Sequence, residues 1–148
     1  MFLKKGCKTC PEFGILILRL VMGGTFVMHG AQKLFGMFGG NGVEEFGRSL
    51  QYLQIPMPEI MAYVVGCTEF FGGLLLILGL FTQCAAALLC VVMLVAIFKV
   101  HWSAGFFGPR GFEFPLALLA GCLCLVTTGC TKWGLDCTGF VKNLCCKK

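Results

Sequence analysis

At 148 residues the chain has single-domain length, yet 57% of it is hydrophobic and 13% charged, with a mean hydropathy of +0.86. An ordinary soluble domain carries about 25% charged residues, so this chain has more apolar surface than a soluble interior of its size can hide, and lipid is the solvent it requires. The net charge of +5 is concentrated at the two ends, in Lys4, Lys5 and Lys8 and in Lys132, Lys142, Lys147 and Lys148. Basic residues in those places flank membrane spans. The partner they predict is the anionic headgroup layer of membrane lipids, and no nucleic-acid binding is expected.

The first predicted span runs from Phe13 to Phe35. Its basic start and apolar middle are like those of a signal peptide. However, Arg19 interrupts the apolar run and no A-x-A cleavage site follows, so the span is expected in the mature protein. Beyond it, Val43, Phe46, Leu50 and Leu53 recur at helical spacing with Glu44, Glu45, Arg48 and Gln51 between them. This pattern predicts a short amphipathic helix lying at the membrane interface, ended by Pro56 and Pro58; an irregular loop is the alternative.

Further spans are predicted from Glu59 to Leu80, Phe81 to Trp102 and Gly111 to Gly129, each near the ~20 residues needed to cross hydrocarbon. Only Gly79 to Gln83 is available to turn between the second and third. The expected fold is therefore an all-α membrane protein: four transmembrane helices in an antiparallel bundle, with a short interfacial helix between spans one and two. The bundle occupies residues 13–130, between tails 1–12 and 131–148. Lysines crowd the tails, whereas Arg48 and Arg110 occupy the opposite loops and Lys33 and Lys99 the span ends. That asymmetry predicts that both termini are cytoplasmic.

Ionisable residues inside spans are candidates for function. Glu69 lies midway along the second span; an acid there costs roughly 2.5–3.5 kcal/mol. About ten apolar neighbours at roughly 0.3–0.6 kcal/mol each offset it. Gly66 and Gly73 share its helical face, and small residues mark helix–helix contact in membranes, so Glu69 is expected to point inward. Glu113, followed at helical spacing by Ala117, Ala120, Gly121 and Cys124, is expected to do the same. His29 and Lys33 close the first span, and Lys99, His101 and Trp102 close the third.

Three readings of this polar set stand side by side. The residues snorkel to headgroups and fix helix order; or they conduct protons or ions; or they build a pocket for a small molecule. In the pocket reading His29, Lys33, Lys99 and Trp102 bind the ligand while Glu69, Glu113 and His101 move protons. Its donors suit quinone carbonyls or a small anion.

Of the 11 cysteines, Cys67, Cys84, Cys90, Cys122 and Cys124 fall in apolar runs and read as small hydrophobes. The tails carry Cys7-Lys8-Thr9-Cys10, then Cys137, Cys145 and Cys146. Cys7, Cys10, Cys145 and Cys146 together form a candidate set for zinc or an iron–sulfur cluster. A redox-active Cys7/Cys10 pair and no special role are the alternatives.

Several blocks resemble the DoxX family of membrane proteins. His29-Gly30-Ala31-Gln32-Lys33-Leu34-Phe35-Gly36 is similar to the segment ending that family's first span, and the stretch from Glu69 to Thr82 resembles its E-x-x-G-G-x-L-L-x-x-G-L-x-T motif. Lys99-Val100-His101-Trp102, with Gly105-Phe106-Phe107 and Gly111 to Leu116, is similar to a third block. Trp133-Gly134-Leu135-Asp136 is similar to an S-L-D ending, with Gly in place of Ser. Gln83 stands where the family usually has Arg, and the cysteine tails depart from the pattern.

The resemblance implies a four-helix protein of the bacterial inner membrane, related to a subunit of a thiosulfate:quinone oxidoreductase and to membrane partners of oxidoreductase complexes that handle thiols. It carries over His29, Lys33, Glu69, Lys99, His101 and Glu113. The expected function is a membrane subunit of a thiol- or sulfur-linked redox complex that interacts with quinone, docks a soluble redox enzyme, and forms a homo-oligomer. A small-solute transporter and a non-catalytic assembly subunit are the alternatives.

Overall fold

The first helix, α1 (Cys10–Phe35), is the longest, at 26 residues. A computed structural model describes residues 10–129 and 133–137. After α1 a glycine-rich turn leads into α2 (Gly42–Tyr52), and Pro58 at the first helical position starts α3 (Pro58–Leu78). The next helix, α4 (Thr82–Val95), runs on through a π-helical turn (Ala96–His101) and a 3-10 turn (Trp102–Ala104). Then come α5 (Glu113–Thr128) and a short 3-10 turn (Leu135–Cys137). Among the described residues every regular element is helical.

Among the described residues, three stretches are long and apolar enough to cross a membrane: Glu12–Phe35, Pro58–Leu78 and Thr82–Ala104. Helix α5 is apolar too, but its 16 residues span about 24 Å, short of the ~30 Å of hydrocarbon. The expected amphipathic segment is helical. In α2, Gly47 and Leu50 are buried while Glu44, Arg48 and Gln51 face outward.

Helices α1 and α3 make the closest seam. A Cβ placed on Gly30 would lie 2.7 Å from the Phe70 Cα, and one on Gly73 2.7 Å from the Gly23 carbonyl oxygen. Both are nearer than real Cβ atoms come, so the backbones touch where only glycine fits. A second layer joins α4 to α5 around Leu89, Cys90, Met93, Leu118, Cys122 and Leu125, with Met22 and Phe26 of α1 and Leu76 of α3 closing the core. Outward, Ile17, Val21, Leu88, Val91 and Phe98 stay exposed, a continuous apolar exterior of the kind a lipid-facing surface needs.

One expectation is corrected. The face of α5 that packs is Pro115, Leu118, Leu119, Cys122 and Leu125, whereas Glu113, Ala117, Ala120 and Cys124 are exposed. Larger apolar residues fill the seam with α4, so the smaller, acid-bearing face turns away from it.

Candidate functional site

Glu69 projects from α3 into the α1–α3 seam, where its side chain is 1% exposed and forms an ion pair with Lys33 of α1, whose side chain is 26% exposed. The glycine contact at Gly30, one turn before Lys33, brings the two helices near enough for this pairing. Lys33 Nζ donates to Glu69 Oε1. Glu69 Oε2 is buried with no hydrogen-bond partner, the sole such side-chain atom among the described residues. An orphaned buried acceptor typically costs about 1–3 kcal/mol, more when charged, and native structures hold few of them.

Lys33 also lines an open cavity of about 140 Å³, together with Gln32, Asn41, Phe46 and Ser49. That volume is near the ~150 Å³ at which a cavity admits a benzene ring. The Gln32 amide donates to the Phe38 carbonyl (3.1 Å) and the Ser49 hydroxyl to the Glu45 carbonyl (3.0 Å), so both are already engaged. Lys33 is the charged donor in the lining. Phe46 of α2 sets its ring 5.1 Å from Lys33 Nζ, a cation–π contact. The sequence showed Phe46 only as part of an apolar stripe; its meeting with Lys33 depends on how α2 folds back, which residue spacing does not encode.

The other predicted site residues lie elsewhere. His29 is half-buried, its ring 5.9 Å from that of Phe114, the neighbour of Glu113. His101 Nδ1 donates to the Arg110 carbonyl (2.7 Å), a partner that assigns the proton to that nitrogen. Trp102 stacks on Phe112 at 5.6 Å and 15° and also meets Phe98 at 5.4 Å. The side chains of Lys99 and Glu113 are exposed, and neither forms a hydrogen bond or ion pair with the side chain or backbone of another described residue. The structure therefore joins Lys33 to Glu69 and keeps Lys99, His101 and Trp102 as a separate group on the π-helical turn and the start of the 3-10 turn that follows it. Cys7, Cys145 and Cys146 lie outside the described residues, and Cys10 is described only as the start of α1. Among the described residues no three His, Cys, Asp or Glu side chains are grouped for a metal.

A second buried polar cluster sits at the other end of α1. Arg19 is 1% exposed. Its Nε donates to the Leu76 carbonyl (3.0 Å), which also accepts from the Gly79 N–H (3.2 Å), and its Nη2 donates to the Ile77 carbonyl (3.2 Å), adding donors where the end of α3 runs short of its own. Across the turn, the Asp136 carboxylate accepts from the backbone N–H of Phe81 (2.6 Å) and Thr82 (2.9 Å), capping the start of α4 as an acid should. The Asp136 N–H returns a bond to the Gly79 carbonyl (2.8 Å).

The family model of DoxX matches residues 14–102, a stretch that contains both members of the Lys33–Glu69 pair. The chain belongs to the DoxX family. Among its relatives, a Bacillus subtilis protein named "Putative oxidoreductase CatD" is 34% identical over 125 residues, covering 84% of this chain and 86% of that protein. An uncharacterized protein of Haemophilus influenzae is 35% identical over 111 residues, covering 72% and 69%. An uncharacterized membrane protein of Mycobacterium tuberculosis is 30% identical over 135 residues, covering 82% and 78%. No solved structure matches the chain.

Proposed function

We propose that this DoxX-family protein is a quinone-interacting membrane subunit of a thiol- or sulfur-linked redox complex. The observation that carries the reading is the buried Lys33–Glu69 pair with one carboxylate oxygen unpartnered, set behind a cavity of ring size. In this reading a quinone carbonyl accepts from Lys33 while the ring lies against Phe46. Glu69 pairs with the lysine, and its unpartnered Oε2 is the acceptor that a quinol hydroxyl would satisfy. The name of the Bacillus subtilis relative is in keeping with redox work.

The same reading completes the topology. The segment 111–129, which contains helix α5, is the fourth span; the four spans alternate in direction, both termini face the cytoplasm of a bacterial inner membrane, and α2 lies in the outer interface. His29, Lys99, His101, Trp102 and Glu113 line the approach on that face. A soluble redox enzyme docks on the cysteine-bearing tails, where Cys7, Cys10, Cys145 and Cys146 are the ligands available to zinc or an iron–sulfur cluster. The bundle associates with further copies of itself.

The test is equilibrium binding of a short-chain quinone to the detergent-purified protein. Saturable binding that falls at least tenfold in Glu69→Gln and Lys33→Met, with helicity unchanged, is the expected outcome. Absence of binding in a well-folded wild type would transfer the polar pair to transport or helix ordering.

A further inference from the structure

Helix α2 leaves space on two sides. The Lys33 cavity lies towards α1, and a larger open cleft of about 390 Å³ lies towards α3, a size within the ~300–1,000 Å³ of small-molecule sites. Glu44, Gly47, Arg48 and Gln51 of α2 line the cleft with Glu59 and Tyr63 of α3. Gly47 is buried against α3, where a Cβ would stand 3.9 Å from both the Pro58 carbonyl oxygen and the Glu59 Cα, so no side chain fills the floor. The carboxylates of Glu44 and Glu59 form no hydrogen bond or ion pair with another described residue. Arg48 gives Nη1 to Glu45 Oε2 (2.8 Å) in an exposed pair, which uses one of the five N–H donors of its guanidinium.

The depth of the cleft follows from α3. Its 21 residues rise about 31 Å, the thickness of the ~30 Å hydrocarbon layer, so its first turn, with Pro58 and Glu59, stands at headgroup level. Tyr63, exposed close by, is of a residue type that collects at that level. From the cleft, Ile60, Val64, Phe71 and Leu78 stay exposed at helical spacing, one apolar track along α3.

We propose that the α2–α3 cleft binds the headgroup of an ethanolamine phospholipid. The primary ammonium donates to Glu44 and Glu59, the phosphodiester accepts from Arg48, and an acyl chain runs along the track from Ile60 to Leu78. This mixture of charges selects among lipids. A choline headgroup has no N–H to donate, and a glycerol headgroup sets an uncompensated anion beside two carboxylates. The proposal goes beyond the quinone reading and uses neither Lys33 nor Glu69.

Full-length protein, delipidated in detergent, is titrated with the dioleoyl forms of phosphatidylethanolamine, phosphatidylcholine and phosphatidylglycerol, and bound lipid is counted by native mass spectrometry. The expected result is one ethanolamine lipid held per chain, roughly fivefold tighter than the other two, the scale of one or two exposed ion pairs. In the Glu44→Gln/Glu59→Gln double variant, with helicity unchanged, that preference is expected to vanish. Equal affinity for the three lipids in the wild type overturns the proposal, as does a preference for the choline or glycerol lipid. A preference that survives in the double variant removes it from this cleft. Soluble glycerophosphoethanolamine serves as competitor: displacement of the lipid at equal concentration makes the free diester the occupant and overturns the lipid.

Discussion

Helix α1 sets two cations against α3, Arg19 buried and Lys33 part-buried, and the two are treated in opposite ways. Arg19 spends its fork of donors on the last carbonyls of α3, beside a carboxylate that caps the next helix. Lys33 faces a carboxylate with one oxygen left over and reaches a cavity with the rest of its length. A cluster whose groups are matched to backbone holds a turn in place. One that keeps a buried acceptor unmatched retains something for a ligand to satisfy. The guanidinium is suited to the first task by its rigid, planar donors, and the flexible ammonium to the second.

Substitutions break this contrast in a set order. Arg19→Ala takes one of two donors from the Leu76 carbonyl and the guanidinium donor from Ile77, leaves a large buried volume empty, and should destabilise the protein by roughly 3–5 kcal/mol, read as a loss of the SDS-unfolding midpoint. Lys33→Met leaves Glu69 as an uncompensated buried acid and should cost about 3 kcal/mol in the same assay. Asp136→Asn weakens the cap on α4 and should cost about 1 kcal/mol. Glu69→Gln removes the buried charge and keeps the shape, while Lys33 has solvent within reach. Its stability change should stay within about 1 kcal/mol, although ligand binding is expected to collapse. Were Glu69→Gln to unfold the protein as Arg19→Ala does, the two ends would be alike and both structural.

The sequence was legible where the signal is local. Apolar runs and their basic flanks located the helices, Gly79 marked the α3–α4 turn, and the stripe through Val43, Phe46 and Leu50 located α2. The inward aim of Glu69 followed from Gly66 and Gly73 on its own face, since small residues let α1 approach there. The same argument misled at α5. Small residues permit close contact without compelling it, and the larger Leu118, Leu119 and Leu125 bury more apolar area against α4. What stayed hidden was long-range pairing: Asp136 caps a helix that begins 54 residues earlier in the chain, and Phe46 reaches Lys33 only once α2 has folded back on α1.

The π-helical turn at Ala96–His101 has a geometric corollary. Its hydrogen bonds reach one residue further than those of an α-helix, and each residue of an α-helix turns the chain by about 100°. The turn therefore works as a register offset of one residue, placed between the core stripe of Leu89 and Met93 and the rings of His101 and Trp102. The wider winding absorbs one extra residue, so removing one residue here would restore α-helical winding and leave Trp102 close to its present azimuth beside the Phe112 ring. The turn thus holds a spare residue at the end of the span, with hardly any effect on where the following side chains face.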